Sequence, residues 1–208
     1  MIIDISPELD EKTAVWPGDV AFSRSWQMEI SQGANLDLSS ISTTVHIGAH
    51  ADAPSHYSGT GGSIDTVSLE PYLGPCQVIE VFGVDLIKPE HISQAKLENG
   101  SRLLFKTNSF PNPKKFNENF TALSPEVVDL MGSRGVVLVG LDTPSVDPFD
   151  SKDLEAHKKL LHHGIANLEG LLLKDVEEGF YELIALPLKL VGFDASPVRA
   201  ILRNLPAK

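Results

Sequence analysis

Residues 46–56, HIGAHADAPSH, set the tightest condition on the fold, because His46, His50, Asp52 and His56 fall within eleven residues of a chain that has seven histidines. On an α-helix each residue turns by about 100°, so offsets of four, six and ten would scatter these side chains around the axis. In an extended chain all four share one parity, as do Gly48 and Pro54, and alternate side chains project to one side. A straight strand would nevertheless carry Asp52 about 20 Å from His46 at ~3.3 Å per residue. Ligands of a single ion must each approach it to ~2 Å. The spacing therefore predicts a bend. Gly48 permits tight backbone, Pro54 stiffens the exit and disfavours a helix, and Ala49, Ala51 and Ala53 leave room around the turn.

Two imidazoles and a carboxylate suit Zn2+ or Mn2+, and three protein ligands leave a position open for water, which is the arrangement of a catalytic site. Glycine, alanine and proline between the polar residues argue against a merely solvated loop, where lysine and glutamate would be expected. The metal could equally be Fe or Co on ligand type alone.

The rest of the sequence reads as one domain, residues 1–208, of mixed α/β (α+β) class. Branched or aromatic runs between turn signals predict strands at CQVIEVF (76–82), RLLFKT (102–107), GVVLVGLD (135–142), GLLLKDV (170–176) and YELIALPLKL (181–190), with more strands in the first fifty residues. Ser124-Pro125 and Ser196-Pro197 each resemble a helix start, a capping side chain before a proline at the first helical position. A third helix is expected over residues 152–163, with Leu154, Leu160 and Leu161 as its apolar stripe and Gly164 ending it in a left-handed conformation.

A formal net charge of −11 repels phosphate backbones and anionic lipid, so neither nucleic acid nor a membrane surface is an expected partner. No apolar run reaches the ~20 residues of a membrane helix, and the acidic start MIIDISPELDEK lacks the features of a signal peptide. The single cysteine, Cys76, is expected as a packed strand residue in a cytoplasmic protein. A serine or cysteine hydrolase is disfavoured, since there is no G-x-S-x-G elbow. His91 is expected on the surface, and Asp142 and Thr143, at the end of an apolar strand, are candidates for the border of a pocket.

HIGAHADAPSH resembles the signature of the cyclase family of metal-dependent hydrolases, H-x-G-T-H-x-D-x-P-x-H, with Ala49 where threonine is more common. The wider chain resembles one branch, the bacterial kynurenine formamidases (arylformamidases), in DISPELDEKTAVWPGD, ISTTVHIGAHADAPSHY and YELIALPLKLVGFDASPVRAILR, and alanine at position 49 occurs in that branch. The resemblance implies a central β-sheet or barrel-like core flanked by a few helices, a homodimer or higher homo-oligomer, and two divalent ions per subunit, Zn2+ or else Mn2+. It implies that His46, His50 and Asp52 hold one ion and that Asp52 bridges to the second. His157 and Glu169, twelve residues apart, would complete the ligands, and His56 would donate and accept protons. On an unbroken helix that spacing spans ~18 Å, so the pair can meet only if the helix stops at Gly164 and the chain folds back. His162 and His163 are rival ligands.

Trp16 aligns with the family's aromatic substrate contact, against the alternative of a buried anchor beside Pro17. The implied activity is hydrolysis of a small aryl formamide, N-formyl-L-kynurenine, to L-kynurenine and formate. Two alternatives stay open: hydrolysis of another aryl or cyclic amide such as isatin, and a non-catalytic metal-binding protein in which His56 closes the ligand shell.

Overall fold

The computed structural model describes residues 1–205. In chain order these form β1 (Ile2–Asp4), β2 (Ser23–Met28), β3 (Leu38–Ser42), β4 (His50–Asp52), α1 (Pro54–Tyr57), β5 (Leu73–Glu80), β6 (Leu86–Ile87), β7 (Arg102–Lys106), β8 (Ala122–Leu123), α2 (Pro125–Ser133), β9 (Leu138–Leu141), α3 (Glu155–His163), β10 (Ala166–Glu169), β11 (Gly179–Ile184), β12 (Ala195–Pro197) and β13 (Ile201–Asn204). Nine strands make one curled, half-barrel sheet in the order β1-β13-β11-β5-β7-β9-β10-β4-β12, giving the mixed α/β architecture that the strand and helix signals predict.

The centre of this sheet, β5-β7-β9-β10, is parallel. Parallel strands are usually covered on both faces, and the side-chain alternation shows that here. Leu103, Phe105, Val139 and Leu141 pack with Val127, Val128, Met131, Ala156 and Leu160 of the helices. Their neighbours Leu104 and Leu138 point the other way, into a second cluster with Val78, Leu168 and Leu183. Cys76 lies in β5 within that second cluster, and burial pushes its thiol up to about 12. No helix among the described residues is long and apolar enough to cross a membrane.

Local signals succeed where nothing tertiary competes with them. Ser124 Oγ accepts the Val127 N–H at the start of α2, with Pro125 in the first turn. Gly164, at φ 65°, ends α3 as expected. That helix starts at Glu155 rather than Lys152, and its buried face is Ala156, His157 and Leu160, while Leu161 is exposed.

Four expectations are corrected. GLLLKDV is not a strand: Gly170 turns at φ 64° as β10 ends, and Leu171, Leu173 and Val176 are core anchors of a loop. Ser196-Pro197 starts no helix. Ser196 Oγ accepts the Leu188 N–H at 2.8 Å and donates to Pro197 O, and residues 195–197 form the edge strand β12 against β4. Proline is tolerated at a sheet edge because its outward side needs no donor, so long-range pairing overrides the local cap. His91 is half-buried, not exposed; its Nδ1 accepts the Lys88 N–H at 2.9 Å. The YELIALPLKL strand also stops early, at Ile184.

Candidate metal centre

The predicted bend falls at Gly48, φ 56°, where a Cβ would lie 2.6 Å from Leu9 Cδ2. The chain then runs straight for only three residues. β4 pairs antiparallel with β10 on one side, setting His50 opposite Glu169, and with β12 on the other, setting Asp52 opposite Ala195. Pro54 does not oppose helix here. It occupies the first turn of α1, where a missing N–H costs nothing, and that single turn brings the His56 ring to 4.1 Å from the His46 ring. β4 alternation sends His50 and Asp52 to one face and Ala51 into the core; β10 alternation does the same for Asn167 and Glu169 against Leu168.

Each inward histidine has one ring nitrogen committed elsewhere. His50 Nδ1–H donates to Gly48 O at 2.9 Å, and His157 Nδ1–H donates to Asp147 Oδ2 at 2.7 Å. His46 Nε2–H donates to Asp194 Oδ2 at 2.9 Å. The opposite nitrogens converge on two carboxylates. His50 Nε2 is 3.3 Å from Glu169 Oε2 and 3.6 Å from Asp52 Oδ1, and His157 Nε2 is 3.4 Å from both Glu169 Oε1 and Asp52 Oδ2. His46 Nδ1 is 3.0 Å from Asp52 Oδ1.

Among the described residues, His50 Nε2, His157 Nε2 and Asp52 Oδ1 are buried polar atoms without a hydrogen-bond partner. Donors bound at ~2.0–2.1 Å around a tetrahedral ion stand about 3.3 Å apart, which is the spacing seen here. The donor set therefore fits a divalent cation. Two groups of donors within 4.8 Å of one another share Asp52: His46, Asp52 and His56, and His50, Asp52 and Glu169.

The electrostatics agree. Burial disfavours charge on Asp52 and Glu169, yet the surrounding imidazoles hold both carboxyls below their usual range. Burial likewise opposes charge on His46, but Asp52 and then Asp194 outweigh it and raise its pKa to about 9. His157 is also raised, by Asp147, Asp52 and Glu169 against burial. Two buried anions thus draw positive charge, as protons when no cation is bound. His56 differs: burial lowers its pKa and favours the neutral ring.

Other parts of the scaffold support these donors. Asp147 accepts the backbone N–H groups of Ala156 and His157 at 2.9 and 3.0 Å, capping α3 as well as orienting His157. Asn167 Nδ2 donates to Asp52 Oδ2 at 2.8 Å, and the Val146 N–H to Glu169 Oε1 at 2.9 Å. Leu154, at the start of α3, holds a left-handed φ of 50°, unusual for leucine, and lines the adjoining cavity.

That cavity, about 350 Å³, is walled by Trp16, Phe110 and Phe116 and floored by His46, His56 and His157. Trp16 packs edge-on to Phe116 at 5.4 Å and lies 5.0 Å from Phe149, so it is both half-buried in an aromatic cluster and open to the cavity. Asp142 lines the cavity too, its carboxylate accepting from Thr107 and Asn108, whereas Thr143 is fully buried and does not border it. Among the described residues, no lysine or arginine lines the cavity.

Residues 3–148 match the family model Cyclase, described as "Putative cyclase". The chain belongs to the cyclase family. It is 47% identical over 205 residues to a kynurenine formamidase from Polaromonas naphthalenivorans, covering 98% of this chain and 91% of that protein. It is 44% identical over 203 residues to a kynurenine formamidase from Bordetella pertussis, covering 97% of each. Among solved structures, a potential metal-dependent hydrolase with cyclase activity superposes with a TM-score of 0.85 at 30% identity, covering 97% of this chain and 96% of that one.

The fold brings His46, His50, Asp52, His56, His157 and Glu169 together, with Trp16 on the cavity wall. The rival histidines lie elsewhere. His163 Nε2 pairs with Asp129 of α2 at 2.7 Å, and His162 is exposed beside it. Asp147, Asn167, Asp194, Phe110 and Phe116 escaped the sequence reading. Only Asn167 had a local signal, lying two residues before Glu169 on one strand face.

Proposed function

We propose that the protein hydrolyses N-formyl-L-kynurenine to L-kynurenine and formate, using two divalent ions, zinc or else manganese, held by His46, His50, Asp52, His157 and Glu169. The observation that carries this reading is the convergence of three buried, partnerless donor atoms at ion-ligand spacing on the floor of an aromatic cavity. Similarity along nearly the whole chain to relatives named kynurenine formamidase supports this choice of substrate.

A bound divalent ion would supply Lewis acidity toward the formyl oxygen and a water acidified toward a pKa of ~7. The chain's own groups do the rest. Trp16, Phe110 and Phe116 offer ring faces and edges to the anilide ring, contacts worth about 0.5–1.5 kcal/mol each beyond area burial. His56, neutral at the start, takes a proton from the attacking water. It returns that proton to the aryl nitrogen as the C–N bond breaks, so the amine leaves neutral and formic acid remains, which loses its proton to solvent as formate. Buried Asp52 and Glu169 keep the imidazoles of the centre oriented as donors. We further propose a cytoplasmic homodimer, which light scattering would check.

The test is conversion of N-formyl-L-kynurenine by the purified protein as isolated, after chelation, and after zinc or manganese is returned, with isatin as the comparison substrate. Loss and recovery on the formamide is the expected result. His56→Ala should lower turnover ~10²–10⁴-fold with metal content unchanged. Inactivity of fully metallated protein on the formamide would overturn the substrate; unchanged turnover in His56→Ala would remove His56 from the chemistry.

A further inference from the structure

The loop before β12 carries Asp194 to the rim of the centre. Its backbone carbonyl accepts the Ala53 N–H at 2.8 Å, which ties it to the junction between β4 and α1. Its Oδ2 accepts from His46 Nε2 at 2.9 Å and lies 3.4 Å from His56 Nδ1. One carboxylate oxygen therefore faces two imidazoles that are themselves packed together.

An ionised carboxylate only accepts, so a ring nitrogen facing it is the one that carries the proton, and in a neutral imidazole the other nitrogen is left as a lone pair. His46 has a carboxylate oxygen at each ring nitrogen, Asp194 Oδ2 at Nε2 and Asp52 Oδ1 at Nδ1; a cation held by Asp52 would take the Nδ1 lone pair, which leaves the proton on Nε2 facing Asp194. For His56, whose Nδ1 faces Asp194, the lone pair is on Nε2. We propose that Asp194 is a positioning residue that fixes both tautomers at once, keeping His46 a ligand and His56 a base.

Without this carboxylate either ring is free to move its proton. His46 protonated on Nδ1 would turn an N–H toward the cation position. His56 protonated on Nε2 would lose the acceptor that the reaction needs, and its freed Nδ1 could turn toward His46 and Asp52, residues with which His56 already shares a group of donors within 4.8 Å. His56 would then become a ligand and close the coordination position meant for water. Asp194 thus separates an open, reactive centre from a closed, storage-like one.

The consequence for turnover rests on the formamidase reading, but the tautomer assignment does not. The test is long-range ¹H–¹⁵N NMR of the zinc-loaded, histidine-labelled full chain, wild type against Asp194→Ala and Asp194→Leu. The wild type should show His56 protonated on Nδ1 and His46 on Nε2. In Asp194→Ala, His56 should shift to the Nε2–H form or show a zinc-coordinated nitrogen. On N-formyl-L-kynurenine, kcat should fall about 10–100-fold with KM within about twofold, the range typical of lost partners of metal-site histidines. The same His56 tautomer in wild type and Asp194→Ala would overturn the proposal, even if activity fell. Should the alanine variant fail to fold, Asp194→Leu, which fills the same space with no hydrogen-bonding atom, decides by the same spectra. If the wild type turns over no formamide, the substrate proposal fails while the spectra still judge Asp194.

Discussion

Asp147 holds three hydrogens at the start of α3: the N–H groups of Ala156 and His157, and the Nδ1–H of His157. Asp147→Ala removes a helix cap, a loss of about 1–2 kcal/mol, and a charge-assisted bond worth about 1.5–3 kcal/mol. The two share one buried group and will not add fully, so about 3 kcal/mol is expected. For a domain of this size that corresponds to a fall in Tm of roughly 6–12 °C. The same change frees the His157 ring to rotate, and loss of such a partner weakens ion binding about 10–100-fold.

Asp147→Asn separates the two roles. Its oxygen, at the Oδ2 position, can still accept both the N–H and the Nδ1–H of His157, while its NH2 faces the Ala156 N–H and that bond is lost. The His157 proton stays on Nδ1, and Nε2 still faces Asp52 and Glu169. Asp147→Asn should therefore lose part of the cap's stability yet keep a zinc affinity well above that of alanine. Thermal unfolding of chelated protein gives the first quantity and titration against a competing chelator the second. An Asp147→Asn protein that loses zinc affinity as severely as alanine, or an alanine variant with wild-type affinity, would refute the orienting role; an alanine variant within 1 kcal/mol of wild type would refute the cap.

Two further outcomes follow from the packing. A methyl at Gly170 would stand 2.1 Å from the Gly48 carbonyl oxygen, on a residue at φ 64°, so Gly170→Ala should force β4 and β10 apart. Stability should fall by at least about 1–2 kcal/mol from the backbone conformation alone, and zinc affinity with it; affinity unchanged in the titration would mean this contact does not set the spacing of the centre. Cys76, held at about 12 by burial, should resist iodoacetamide at pH 8.5, where an ordinary thiol at ~8.5 is half ionised, and should react once denatured. Because only the unfolded thiol ionises there, its contribution turns against the folded state as pH rises above ~8.5. Rapid labelling of the native protein would contradict its burial.

The difference between what the sequence disclosed and what it hid is a difference of range. The bend at Gly48 and the break at Gly164 are backbone requirements of single residues, and both stand where the spacing put them. The Ser124 cap acts within one helical turn. At Ser196 the same residue pair carries the same local signal, but β4 offers backbone partners that a four-residue pattern does not contain. Asp147 and Asp194 are ordinary acids in sequence; only the return of α3 and of the β12 loop gives them histidines to hold. The aromatic wall was missed for a related reason: Phe110 and Phe116 lie in a proline- and asparagine-rich loop with no periodicity, yet both rings line the cavity.

The placement of β4 between β10 and β12 also sets when the centre comes into being. Asp52 meets Asn167 across 115 residues of chain, and His46 meets Asp194 across 148. Contacts so distant in sequence close large loops and form late on average. An unfolded or partly synthesised chain holds only the HxxxHxD fragment, a loose chelating peptide with no Glu169 opposite it. The same event that zips the last antiparallel strands together therefore assembles the reactive cluster, so the chain has no site to offer before it has a fold to protect it.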